Sequence, residues 1–359
     1  MKAIMFGGAL SLVLSLASTP AVARFFLRRR LGQPIHDEMP MEHQVKQGVP
    51  TMGGTVVIAA ATVGYLVAHL VGGVGPSASG MLVLFLLVGL GVVGFLDDYL
   101  KITRERNLGL RGRTKLVGQT LVAVVFAVVA IRLPDADGLT PASTLVSFMR
   151  DLPGLRLGAV FFVLWALFMV SATSNGVNLV DGLDGLAAGT CVLVFAGYTI
   201  ICVWQFNQSC AAADVPGCYQ ARDPYDLAVL AFSLAAACGG FLWWNANPAR
   251  IIMGDTGALG LGGAVAGLAI TTRTELLLVV IGGLYVAANG SVILQRGYFK
   301  LTRRLTGTPR RIFLSSPIQH HFTLKGWPEI TIVIRFWIVC GILVASGLGM
   351  FYAEWLTYS

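Results

Sequence analysis

Ten stretches of this 359-residue chain are apolar over enough consecutive positions to cross a lipid bilayer. That repetition limits the fold more than any other feature, because a membrane-crossing helix needs about 20 mostly apolar residues. The stretches run approximately over 3–23, 52–74, 80–96, 116–131, 157–173, 186–204, 227–244, 258–271, 276–294 and 332–355. The eighth is short and glycine-rich, so it depends on close packing against neighbouring helices. Only 12% of residues are charged, against about 25% in a soluble domain, too few to cover a globule of this size. Disorder is excluded, since disordered chains are apolar-poor and charge-rich. The 43 glycines follow no three-residue period, which excludes collagen. The expected fold class is therefore all-α, a polytopic integral membrane protein with ten transmembrane helices. The longest gap between stretches is about 37 residues, so residues 1–359 read as one membrane domain.

Charge sets the expected orientation. If the first stretch runs from outside to inside, the segments 24–51, 97–115, 172–185, 245–257 and 296–331 lie inside and hold 19 of the 26 Lys and Arg. Six lie outside and Arg335 falls within the last stretch. This positive-inside bias puts both termini outside and makes five cytosolic loops. The net charge of +8 then faces anionic headgroups and any anionic substrate. Lys2 and Ala21-Val22-Ala23 resemble a signal peptide, but Arg24, Arg28, Arg29 and Arg30 follow directly and resist export, so the first stretch reads as an uncleaved span. Cys191, Cys202, Cys238 and Cys340 fall within apolar stretches and read as small packing residues. Cys210 and Cys218 share an outer loop, as a disulfide or as two free thiols.

Of the ten acids on the inner side, five stand at the ends of apolar stretches: Asp97, Asp98, Asp181, Asp184 and Asp255. One such Asp can simply mark where a helix meets water. Five at similar depth on one side ask for another reason. Asp97 and Asp98 are adjacent like charges, unfavourable without a cation. Asp181 and Asp184 are three apart and share a helical face. Glycines follow Asp181 and Asp184 and flank Asp255-Thr256, where backbone can approach a ligand closely. Clustered oxygen donors with open positions suit Mg²⁺, which keeps waters and binds substrate phosphates. Lys46, Thr51, Asn175, Asn178 and Asn245 stand nearby as polar partners. The sixth and eighth spans begin on this side, and helix N-termini favour phosphate. Most of the basic stretch Lys101–Lys115 reads as a topology signal, with one or two residues left for substrate phosphate. Pro317–Phe322 places two of the five histidines, His320 and His321, in the long inner loop. No Gly-x-x-x-x-Gly-Lys-Ser/Thr loop is present, which excludes a P-loop nucleotide motor. The residues alone thus indicate a cytosol-facing, Mg²⁺-dependent site for phosphorylated substrates at the membrane surface.

The motifs resemble those of the polyprenyl-phosphate N-acetylhexosamine-1-phosphate transferases. The carrying residues are Pro50–Gly54, Gly94–Tyr99 (Gly-Phe-Leu-Asp-Asp-Tyr), Asn178–Leu186, Met253–Gly257, Pro317–Phe322 and Lys325–Glu329. The paired His with the following Gly-Trp-Pro-Glu points to the muramoyl-pentapeptide branch. The resemblance implies that undecaprenyl phosphate attacks the β-phosphate of UDP-MurNAc-pentapeptide, giving lipid I and UMP. It implies that Asp97 deprotonates or orients the lipid phosphate, with Asp98 in support near the metal, and that Asp255 ligates Mg²⁺. Asn178, Asp181 and Asp184, with Lys46 and Asn245, would line the nucleotide-sugar pocket, and His320 and His321 would contact substrate. It further implies a bacterial plasma membrane location, a homodimer, and a lipid groove beside a bent ninth span, for which Gly290 is the candidate hinge. No nucleic-acid partner is expected. The chain departs from the family at Gln319, where a third His is common, and at Val180, Ala258 and Ala288, where Thr, Ser and an acid are common. A sibling enzyme moving GlcNAc-1-phosphate is the nearest alternative. A secondary transporter is a distant one, since its ion sites would lie near the bilayer midplane.

Overall fold

The computed structural model describes residues 1–29, 48–103, 109–110, 112–210 and 217–357; Lys46 lies outside them. Its helices are α1 (Lys2–Arg28), α2 (Gly54–Gly72), α3 (Ala78–Thr103), α4 (Gly112–Ala130), α5 (Gly158–Val180), α6 (Leu186–Asn207), α7 (Pro224–Asn245), α8 (Gly254–Thr271), α9 (Leu278–Ile281), α10 (Gly283–Thr306), α11 (Ile318–Leu324) and α12 (Glu329–Leu356). Eight of these, α1 to α7 and α12, are long and apolar enough to cross a membrane. The protein is therefore polytopic and helical.

The eighth and ninth apolar stretches behave differently from the rest. In α8 every residue except Asp255 is buried. Its small side chains let α3, α5 and α2 pack closely around it, the usual route to tight helix association without a hydrophobic drive from water. The ninth stretch is not one helix. It breaks between α9 and α10 at Gly282, not at Gly290, which lies inside continuous helix. Gly282 and Gly283 are consecutive residues without a Cβ, and a helix breaks most readily there.

A two-stranded antiparallel hairpin, β1 (Leu145–Ser147) and β2 (Asp151–Arg156), fills the connection before α5. It docks on the turn after α8, where the Ser147 amide donates to Glu275 Oε2 (3.0 Å) and the Leu276 amide donates to Ser147 O (2.9 Å). Cys210 and Cys218 are joined as a disulfide, which resolves the alternative left open above. Arg150 donates to the Gly217 and Cys218 carbonyls and pairs with Glu354. Val160, Phe161, Leu164 and Phe168 on α5 remain exposed, as on a lipid-facing helix.

Candidate functional site

The last turns of α3 bring Asp97 and Asp98 against the first turn of α8. The approach depends on Gly94: a Cβ there would lie 2.2 Å from the Asp255 carbonyl oxygen. Asp98 then caps α8 from outside that helix. Its Oδ2 accepts from the Thr256 amide (2.9 Å) and hydroxyl (2.8 Å), and its Oδ1 accepts from the Asp255 amide (3.2 Å). The residue preceding α8, Met253, contributes no side-chain cap, so the orphan N–H groups of the helix are met by this carboxylate.

Asp97 accepts from the Leu110 amide (2.8 Å) and faces Lys101 Nζ at 2.7 Å and Lys115 Nζ at 3.5 Å. Asp255 receives the same two ammonium groups, Lys115 at 2.6 Å and Lys101 at 2.8 Å, and its other oxygen accepts from Asn178 Nδ2 at 2.5 Å. One ligand atom from each of Asp97, Asp98 and Asp255 lies within 4.8 Å of the others. Three carboxylates so close require positive charge, and here the lysines supply it. Lys101 stands three and four residues after the Asp pair, a spacing legible in the sequence. Lys115 comes from α4 and carries no local signal.

An oxygen-only donor set of this kind fits Mg²⁺. The side chain of Asp255 is 14% exposed, against 4% for Asp97 and 5% for Asp98. Both oxygens of Asp98 are already engaged by the cap. Asp255 is thus the most open carboxylate of the three.

Around this centre the other candidates take distinct places. Asp181 follows α5 and accepts from the Gly254 amide at 3.1 Å. Burial, and then the charges of Asp255 and Asp98, hold its carboxyl well above the ordinary aspartate range. Thr51 is buried, its hydroxyl has no partner among the described residues, and a Cβ on Gly254 would lie 2.9 Å from it. The strip containing Thr51 is laced to the strip before α8: Ile252 donates to Pro50 O (2.8 Å), and Gly53 and Gly54 donate to Ile252 O and Met253 O (each 2.9 Å). Asp184 accepts from the Ala249 amide (3.0 Å), while its own amide donates to Glu329 (2.8 Å). Asn245 donates to Ile251 O at 2.9 Å. These two shape the loop before α8. Asn175 donates to Ser171 O (2.8 Å) and lines an apolar groove beside α5, apart from the carboxylates.

The histidine segment forms α11. Gln319, at the position of the family's third His, is buried and donates to Leu179 O at 2.5 Å, joining α11 to the end of α5. The His320 ring rests against Gly182, where a Cβ would come within 2.7 Å of Nε2. His321 Nδ1 accepts from the Leu314 amide at 3.1 Å, so its proton sits on Nε2. Its ring is held edge-on between Phe313 and Phe322. The preceding loop is fastened to α10 by Gln295, which accepts from Ile312 and Phe313, and by Ser291, which accepts from Ile318.

Residues 80–273, which contain all five aspartates, match the profile of glycosyl transferase family 4. Over the full length, the phospho-N-acetylmuramoyl-pentapeptide-transferase of Kineococcus radiotolerans is 56% identical across 367 aligned residues, covering 99% of each chain. Those of Paenarthrobacter aurescens and Streptomyces avermitilis are each 52% identical with the same coverage. The chain belongs to the phospho-N-acetylmuramoyl-pentapeptide-transferase family. In this member of the family the Asp-Asp motif divides its work. Asp97 faces the lysines and Asp255, whereas Asp98 fixes the helix that carries Asp255. Lys101 and Lys115, the ends of the basic stretch from which one or two residues were expected at the site, face the carboxylates; Thr256 joins the centre without having been singled out.

Proposed function

We infer that the protein is a lipid I synthase, transferring phospho-MurNAc-pentapeptide from UDP-MurNAc-pentapeptide to undecaprenyl phosphate with release of UMP. The observation that carries this reading is the gathering of Asp97, Asp98 and Asp255 within 4.8 Å in a chain 52–56% identical, end to end, to enzymes of that name. The chemistry needs a positioned phosphate nucleophile and neutralisation of charge on the leaving pyrophosphate.

Asp97 sits where it can orient the acceptor phosphate and take its proton, while Lys101 and Lys115 restrain its charge. Asp255 would hold Mg²⁺, with Asp98 beside it; when bound, the ion neutralises charge on the transferring phosphoryl group. Asp98 acts as the cap that fixes Asp255. Asn178 orients Asp255 through its amide. His321 presents Nε2–H as a donor for phosphate, and His320 stands against Gly182 in the turn after α5. Asp181, Asp184, Thr51, Asn245 and Lys46 belong to the nucleotide-sugar side, and Asn175 to the lipid side. Attack is direct, without a phospho-enzyme on Asp97. Rapid exchange of labelled UMP into the UDP-sugar in the absence of lipid would rule this out.

The inner-side count of 19 Lys and Arg supports ten crossings, with the site cytosolic in the bacterial plasma membrane and both termini outside. A homodimer is the expected assembly. The functional reading is tested by lipid I formation with purified protein: turnover of UDP-MurNAc-pentapeptide is expected, and turnover of UDP-GlcNAc alone would replace it with the sibling activity.

A further inference from the structure

Two faces of α10 repeat in alternating steps of three and four residues. Leu284, Ala288, Ser291 and Gln295 are buried against the protein. Gly282, just before the helix, and Val286, Asn289 and Ile293 form the other face, and they line a cavity of about 550 Å³. Its opposite wall is α5, through Trp165, Phe168, Ala172 and Asn175. The same steps carry the groove-side face beyond Ile293 to Arg296, Lys300 and Arg303, and Arg304 lies on that face four residues after Lys300. All four are exposed, and none pairs with a carboxylate among the described residues. At 1.5 Å per residue, Arg296 stands about 4.5 Å beyond Ile293 along the axis, and Arg304 about 17 Å. On the α5 wall, one further turn from Asn175 reaches Asn178, whose amide holds Asp255.

The groove is lined mostly by apolar side chains; beyond its end the α10 wall continues into the row of cations, and the α5 wall continues to Asn178, which holds Asp255. A positive-inside signal requires basic residues near a helix end; it does not require them to continue the face that lines a groove. Resting on the reading of a polyprenyl phosphate acceptor, we propose that Arg296, Lys300, Arg303 and Arg304 form a cationic track that captures the lipid's terminal phosphate and delivers its chain to the groove. The occupant is a lipid phosphate monoester, whose charge is concentrated at the end of a long apolar chain. The track raises local acceptor concentration at the membrane surface, as cationic patches do for anionic ligands.

The test uses the full-length protein in neutral phosphatidylcholine nanodiscs. Binding of undecaprenyl phosphate and of uncharged undecaprenol is compared for the wild type and for the R296Q/K300Q/R303Q/R304Q variant. Affinity for the phosphate is expected to fall by about tenfold or more in the variant, with undecaprenol binding unchanged. KM for the lipid should rise in step while KM for UDP-MurNAc-pentapeptide stays within about twofold. The R296K/R303K/R304K variant should behave as wild type. Unchanged phosphate binding, or equal loss of undecaprenol, overturns the proposal. Competition by phosphatidylglycerol as strong as that of the carrier also overturns it, in favour of a general headgroup surface. A protein that shows the charge-dependent binding yet makes no lipid I would refute the functional reading and leave the track standing.

Discussion

Asp98 and Asp255 show how one residue type serves two purposes at one site. Asp98 completes a helix end, and Asp255 presents an oxygen to the exterior. Asp255→Asn should leave the fold intact and lower Mg²⁺-dependent turnover by about a thousandfold or more; retained activity would remove it from the proposed metal site. Asn also caps helices, so Asp98→Asn should melt near the wild-type temperature, whereas Asp98→Ala should lose about 1–2 kcal/mol. Equal melting of the two variants would dismiss the cap. On the opposite side, burial pushes the Glu275 carboxyl up to about 7. Its neutral form is favoured in the fold, so this contribution is full below the ordinary 4.5 and is lost as pH rises towards about 7. Thermal unfolding of Glu275→Gln should lack that part of the pH dependence; an unaltered profile would contradict it. At this scale the five aspartates were legible because ionised groups are costly at a membrane boundary without a function. The pairing of Lys115 with Asp97 and Asp255 was not, since it depends on which helices meet.

Among the elements, α8 decides the geometry. It is short, small-residued and buried, and its N-terminus receives the carboxylate end of α3. Gly94 permits that meeting, because any side chain there would strike the α8 backbone. Gly94→Ala is therefore expected to separate the Asp pair from Asp255 and to lower turnover by at least about tenfold while the helical circular dichroism is kept; wild-type turnover would show that the contact is dispensable. The apolar runs were legible as helices from their length alone. The hairpin Leu145–Arg156 was not, because it is short, partly buried and settled by docking on Glu275. The break at Gly282 was misplaced at Gly290 in the sequence reading. Hydropathy continues across both positions, and the adjacent Gly282 and Gly283 are the local feature that distinguishes the first.

For the whole molecule, the scarcity of charge carries the most information. Sorted along the chain, the five segments 24–51, 97–115, 172–185, 245–257 and 296–331 hold 19 of the 26 basic residues and all five aspartates, and the packing of α3, α5 and α8 draws the aspartates together. The bundle thus presents one polar face with a groove leading to it, an arrangement suited to joining a membrane-held acceptor with a water-soluble donor. The central claim is tested most directly by incubating the purified protein with UDP-MurNAc-pentapeptide, undecaprenyl phosphate and Mg²⁺, and measuring lipid I and UMP together. Equimolar lipid I and UMP, absent in Asp255→Asn and on chelation, is the predicted result. UMP release without lipid I, or full turnover in the Asp255→Asn variant, would contradict it.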